Sequence, residues 1–229
     1  FTKESFDLLY PSYGDSYPTY MGAIGMTYEQ AGHGRAGLGI ITENNTVLTL
    51  KDRIEHHTTT GLSTVEVAAK NTSKMLNEFS KFFDHSNLKY KNYILRGAPE
   101  KIEAVIKLLE KHEIKFHLSD GKSVKAYSYN SKSIENFKTS KNDLIIPTNQ
   151  PKGKMVKVLF EQETKLSTPI TYDITAWSLP YAYGLQGFAT ENNITFEADL
   201  IQIDKHKNIN SIAKNAYAYL HKWNEVSDA

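Results

Sequence analysis

Glu29 is the side chain in this sequence that best fits proton-transfer chemistry. It directly follows residues 23–28, in which larger and smaller side chains alternate as in a short β-strand. A carboxylate at the end of an apolar strand is paired, is solvated, or has a pKa raised by partial burial for use as a general base. A solvated position at the rim of a sheet is the ordinary alternative to catalysis, and the preceding sequence bears on the choice.

Tyrosines among turn residues precede this stretch. Residues 10–18 read Tyr-Pro-Ser-Tyr-Gly-Asp-Ser-Tyr-Pro, and residues 22–29 read Gly-Ala-Ile-Gly-Met-Thr-Tyr-Glu. A tyrosine on a loop can donate a hydrogen bond to a substrate carboxylate or scissile amide while excluding water. The two stretches together therefore contain the residue types of a hydrolytic site.

The same two stretches resemble the last part of the catalytic domain of zinc carboxypeptidases, the carboxypeptidase A-like family. The resemblance implies that the chain is part of a zinc-dependent metallocarboxypeptidase, a protease that hydrolyses C-terminal peptide bonds. By motif order, Glu29 matches the general base of the family and Thr27 matches the threonine two residues before it. Tyr10 matches the substrate-capping tyrosine, with Tyr13 as the other candidate. The expected substrate-binding residues are therefore Tyr10, Tyr13 and Thr27.

The metal ligands of that family are not found in this sequence. Zinc-assisted hydrolysis needs a base that takes a proton from the metal-bound water, and partial burial raises the pKa of a carboxylate for that role. No histidine is followed by glutamate three residues later, as the His-x-x-Glu of the family requires, and His117 with Asp120 is the nearest imitation. His56 and His57 would point about 100° apart on a helix and could not readily chelate one ion. We expect the zinc ligands in residues upstream of Phe1, and none in this chain.

Composition restricts the remaining classes. The 229 residues carry a net charge of +1, which gives no indication of a nucleic-acid partner. No apolar run approaches the ~20 residues needed to span a bilayer. The absence of cysteine excludes a disulfide and a thiol nucleophile, and it is compatible with the secreted or periplasmic location that the resemblance implies. The expected partner is a peptide substrate, and the oligomeric state is not indicated.

Residues 1–86 are predicted to form the C-terminal strand and helix portion of the carboxypeptidase-like domain. A helix is predicted to start at Thr49, with Asp52 three residues later as an imperfect capping box, and residues 58–61 are expected to loosen or bend it. Apolar residues at steps of three and four predict that this helix packs on a sheet. They are Leu62, Val65, Ala69, Thr72, Leu76, Phe79 and Phe83.

Residues 87–229 are predicted to form a smaller accessory α/β domain. Strands at 90–95, 114–118 and 143–147 alternate with helices that start at Pro99 and Lys152, and this alternation predicts some parallel pairing. Residues 172–180 resemble part of an accessory region with a glutamine-amidotransferase-like fold, here without the cysteine nucleophile. Asp173, Trp177 and Tyr181 are candidates for a binding surface, with core packing as the alternative for Trp177.

The sequence is also compatible with two other functions. The first is a non-catalytic peptidase-like remnant joined to an α/β module that binds a peptide or a glycan. The second is a metal-free hydrolase that uses Ser16 or another hydroxyl as its nucleophile, although no Gly-x-Ser-x-Gly motif supports it.

Overall fold

The computed structural model describes residues 11–30, 38–164 and 178–195. The first part has a short helix, α1 (Ser16–Tyr20), and a hairpin of strands β1 (Gly39–Ile41) and β2 (Val47–Thr49). Two consecutive helices follow, α2 (Leu50–Lys70) and α3 (Thr72–Phe82). The second part, the sheet domain, has the elements β3 (Asn92–Arg96), α4 (Pro99–Lys111), β4 (His117–Leu118), β5 (Ser123–Ser128), β6 (Ser133–Lys138), β7 (Leu144–Pro147), α5 (Gly153–Phe160), α6 (Leu179–Ala182) and β8 (Gln186–Thr190).

The sheet domain is built on six strands in the order β4-β7-β3-β8-β5-β6. The central strand β3 places Ile94 opposite Ile145 of β7 on one side and Phe188 of β8 on the other. The predicted mixed α/β class is therefore confirmed. The predicted parallel pairing is wrong, because every strand pair in the described residues is antiparallel. The β5–β6 hairpin and β8, which the sequence analysis did not anticipate, supply half of this sheet.

Both faces of the sheet are covered. Tyr93 and Leu95 of β3 face a large core that includes α4 and α5, whereas Ile94 faces a smaller cluster with Ile145 and Phe188. This alternation follows from the two-residue period of a strand. The predicted buried face of α4 is confirmed, and Pro99 stands in its first turn as expected. The residues of that face are Ile102, Val105, Ile106 and Leu109.

Helix α2 begins as predicted. The Thr49 side chain accepts from the Asp52 backbone N–H, and the Asp52 carboxylate accepts from the Thr49 backbone N–H at 2.8 Å. The helix continues through Gly61 without the expected loosening and ends at Asn71, where α3 starts. Each residue of 58–61 disfavours a helix only slightly, so a well-capped helix of 21 residues passes through them.

The predicted packing of α2 and α3 on a sheet is wrong for the described chain. Leu62 and Val65 are each 67% exposed, and Leu76 is 63% exposed. The periodic apolar stripe forms as the spacing predicts, but its residues on α2 are exposed, and on α3 Phe79 lies against Gly22 and not against a sheet. In the ranges that the structure describes, no helix combines the length and apolar character of a bilayer-crossing segment.

Candidate functional site

The candidate site is built on α1 and the turn before it. Asp15 is the N-cap of α1, and its carboxylate accepts from the Ser16 backbone N–H at 2.8 Å. Tyr13 is half-buried, and its carbonyl accepts from the backbone N–H of Tyr17 at 2.9 Å. Tyr10 lies outside the described residues. Of the two tyrosine candidates, the structure therefore places Tyr13 only, one turn before the helix.

The predicted strand at residues 23–28 is not a strand. Residues 24–30 have no regular secondary structure, since strands require backbone pairing and this segment is held largely by side chains. Ile24 and Met26 point outwards, at 62% and 49% exposure. The apolar alternation that suggested a strand therefore reflects an extended segment without a sheet.

Side-chain hydrogen bonds hold this extended segment in two places. Thr27 donates to the Asp15 carboxylate, which lowers the pKa of Asp15, and the Gly25 backbone N–H donates to the Thr19 hydroxyl at 3.2 Å. Farther along, the Tyr28 hydroxyl lies 2.5 Å from the Thr64 hydroxyl of α2. The segment before Glu29 is thereby fixed to α1 at its start and to α2 at its end.

Gly25 allows this approach because it has no side chain. A Cβ at this position would lie 1.9 Å from the Asp15 carbonyl oxygen and 2.5 Å from the Thr19 hydroxyl oxygen. Neither a backbone carbonyl nor a hydrogen-bonded hydroxyl can yield by that much. Close approach of two backbone segments is one of the functions of glycine, and here it joins the two halves of the sequence motif.

Glu29 is exposed at the outer end of this segment. Its neighbour Gln30 lies with its amide nitrogen 2.7 Å from His56 Nδ1 on α2. The partial burial expected of a general base is therefore not provided by the described residues. Thr27, the other matched residue of the segment, is engaged with Asp15 and is also exposed.

The histidines do not assemble a metal site in the described ranges. No group of three or more His, Cys, Asp or Glu side chains there could hold an ion. His117 lies in strand β4 opposite Ile145, and His57 is exposed on α2. His33, His206 and His221 fall outside the described residues, as do Asp173 and Trp177.

Two other expectations from the sequence have clear outcomes. Ser16 is 0% exposed, so its hydroxyl is closed to a substrate carbonyl in this arrangement. Tyr181 is 50% exposed and stacks on Tyr129, with ring centroids 6.1 Å apart. Its hydroxyl accepts from Gln162 at 3.0 Å. Tyr181 therefore presents an aromatic edge at the surface, as a binding role would require, but far along the chain from Glu29.

Sequence reasoning missed two parts of the site. Asp15 is the first, although an aspartate directly before a short helix with proline in its first turn is a recognisable capping signal. The second is the contact of α1 with the sheet domain, where the Tyr17 hydroxyl lies 2.9 Å from His112 Nδ1. No local signal in the sequence reveals this pair, because 95 positions separate the two residues.

Comparison with protein-family models, with curated proteins and with solved structures finds no match to this chain.

Proposed function

We propose that this chain contributes the general base and the substrate-binding loop of a zinc-dependent metallocarboxypeptidase. The observation that carries the proposal is the hydrogen bond from Thr27 to Asp15. It joins the tyrosine-containing loop to the segment that ends at Glu29, and these are the two stretches that resemble the family. Only three residues separate the two stretches in the sequence, and this hydrogen bond holds them against each other.

The proposed roles follow from the chemistry of the side chains. Glu29 accepts a proton from the attacking water and returns it to the leaving amine. Tyr10 or Tyr13 donates a hydrogen bond to the terminal carboxylate of the peptide, and Thr27 holds the loop through Asp15. Zinc, when bound, would supply a Lewis acid and lower the pKa of its water. In this proposal the zinc ligands lie upstream of Phe1, and no group of three or more His, Cys, Asp or Glu side chains in the described residues could hold the ion.

Glu29 is exposed in the described chain, so the proposal requires that other groups cover it in the enzyme. A general base is more effective in a site from which bulk water is excluded. In the proposed enzyme, upstream residues and bound peptide cover Glu29 and remove water from it. Glu29 then acquires the partial burial that the reaction needs.

The test uses the chain produced together with the residues that precede Phe1 in its gene, supplied with zinc. Release of the C-terminal amino acid from peptides with a free C-terminal carboxylate is measured for wild type, Glu29→Gln and Glu43→Gln. Glu43 is a matched control, because it is an exposed glutamate in the same part of the chain. We expect Glu29→Gln to lose ~10²–10⁴-fold in kcat. Activity retained in Glu29→Gln, or lost equally in Glu43→Gln, contradicts the proposal.

A second candidate function has one observation in its favour. The binding of a peptide or glycan by the sheet domain is supported by a shallow groove of about 580 Å³ along β5 and β6. Lysine, amide and aromatic side chains line it, as a polar ligand requires: Lys125, Asn136, Phe137, Lys138 and Asn192. Peptide binding that is unchanged in Glu29→Gln but lost in Asn136→Leu would favour this function over catalysis.

A further inference from the structure

We propose that the sheet domain positions the tyrosine segment, residues 11–22, through the contact of Tyr17 with His112. In this proposal, which rests on the proposed function, His112 is a positioning residue for substrate binding. The sheet domain is then a structural part of the site and not an independent module joined to it.

The Tyr17–His112 contact has the geometry of a directed hydrogen bond. The hydroxyl oxygen lies 2.9 Å from Nδ1, and the ring centroids are 5.5 Å apart. His112 is the C-cap of α4, where its backbone N–H donates to the last carbonyls of the helix, so its backbone is held at the end of α4. Burial lowers the pKa of His112, and Lys152 and Lys111 lower it further. In the neutral tautomer that carries its proton on Nε2, Nδ1 accepts a hydrogen bond from the phenol of Tyr17.

A second element of the sheet domain contacts the same segment. Tyr20 and Met21 pack, with Tyr17, against the large core under α4 and α5. Lys152, at the start of α5, lies with Nζ 3.6 Å from the Met21 sulfur. The end of α4 and the start of α5 together form the surface on which α1 rests.

Helix α3 closes the opposite side of the segment. A Cβ on Gly22, which has φ of +90°, would lie 3.0 Å from the Phe82 ring and 3.2 Å from the Phe79 ring. Lys154 of α5 lies over the Phe82 ring, 4.2 Å from its centroid. The segment thus passes between α3 and the sheet domain, and α3 itself contacts α5.

The position of α1 determines the position of the segment that leads to Glu29. The Ala23 backbone N–H donates to the Pro18 carbonyl at 2.9 Å, and the Gly25 backbone N–H donates to Thr19. Asp15 accepts from Thr27. Three successive hydrogen bonds therefore link α1 to residues 23–27, so a shift of Tyr17 away from His112 moves the candidate site with it.

The test combines hydrogen exchange with kinetics on the same zinc-loaded protein used for the activity assay. Tyr17→Phe and His112→Phe keep an aromatic ring and remove the hydrogen bond, while His112→Asn restores an acceptor at the place of Nδ1. We expect the backbone amides of residues 21, 23 and 25 to exchange about two- to tenfold faster in the two Phe variants. His112→Asn is expected to stay near wild type. Tyr181→Phe, which removes a hydrogen-bonded hydroxyl elsewhere in the sheet domain, is the control and is expected to leave these amides unchanged.

Kinetics provide the readout that a purely structural role would not change. In Tyr17→Phe and His112→Phe, the KM for a peptide substrate is expected to rise about two- to tenfold, with a smaller change in kcat, and His112→Asn is expected to recover it. Equal exchange in wild type and Tyr17→Phe overturns the positioning inference even if the enzyme is active. If the amides exchange faster in the two Phe variants but wild type does not hydrolyse the peptide, the positioning contact is supported and the proposed function is overturned. Faster exchange in an active enzyme with unchanged KM overturns the role of His112 in substrate binding.

Discussion

Arg96 and Asp143 form a two-point ion pair at one end of the sheet. Arg96 donates from Nε to Asp143 Oδ1 at 2.9 Å and from a terminal nitrogen to Oδ2 at 2.6 Å. Asp143 is 1% exposed, and it also accepts from the backbone and hydroxyl of Ser140. Burial by itself would raise the pKa of Asp143, but the donors from Arg96 and Ser140 leave the pKa below its usual value. The pair ties β3 to the turn that leads into β7.

Loss of Arg96 should destabilise the protein strongly. Arg96→Met keeps much of the side-chain volume but leaves the Asp143 carboxylate buried without its cation, which costs ~3 kcal/mol. Chemical denaturation measures this free energy of unfolding. Lys107→Met is the matched control, because Lys107 pairs with Glu103 on the exposed face of α4 at 2.8 Å, and such pairs contribute only ~0.5 kcal/mol. Equal losses in the two variants would show that the buried pair is not special.

Stability should fall as the pH drops below neutrality because of two histidines. Burial, then Lys154, lower the pKa of His85, and burial, then Lys152 and Lys111, lower that of His112. The unfolded chain therefore binds protons more readily than the folded chain, so stability is complete above the ordinary histidine pKa of about 6.5 and is lost below it.

The measurement is the free energy of unfolding between about pH 7.5 and pH 5.5. The decrease in wild type is expected to be smaller in His85→Gln and in His112→Asn, because each variant removes one titrating group. The exposed His57 supplies the control, and His57→Gln should retain the wild-type slope. A wild-type stability that rises on acidification would refute this assignment.

Gly25→Ala should disrupt the candidate site. The added methyl group would meet the Asp15 carbonyl at 1.9 Å, so residues 23–27 must move away from α1. We expect a loss of ~1–3 kcal/mol in the local stability of residues 11–30, measured by hydrogen exchange. Gly14→Ala, whose methyl group would meet nothing within 4 Å, is the control. If both variants exchange like wild type, the close approach of the two segments does not occur in solution.

Gly61→Ala should stabilise α2. Gly61 lies within the helix, and a Cβ there would meet nothing within 4 Å. Alanine has the higher helix propensity, so a gain of ~0.5–1 kcal/mol is expected. Circular dichroism during thermal unfolding measures it. No change, or a loss, would indicate that the helix is interrupted near residue 61.

Part of the secondary structure is predictable from local signals, although three strands of the sheet, β5, β6 and β8, were not predicted. The apolar face of α4, the proline at its start and the capping box of α2 each depend on residues a few positions apart. Such short-range patterns determine where an element begins and which side it buries. The same reasoning located β3, β7 and α5 within about two residues, the usual uncertainty of element boundaries.

The pairing of strands and the assembly of the site are not predictable in this way. The stretch at residues 23–28 alternates like a strand, but only a neighbouring backbone could make it one. The contact of Tyr17 with His112 depends on the complete tertiary arrangement of α1, α4 and α5. The resemblance at residues 10–29 suggested candidate residues, and the structure shows a hydrogen-bond partner for one of them, Thr27, which donates to Asp15.

The separation of Tyr17 from His112 along the chain also bears on the order of events during synthesis. Residues 11–30 leave the ribosome well before α4 and α5 are synthesised, and a long-range contact cannot form until both partners have emerged. A nascent chain stopped after α3 would thus contain Tyr13, Thr27 and Glu29 without the surface on which α1 rests. Completion of this region has to wait for translation of the sheet domain.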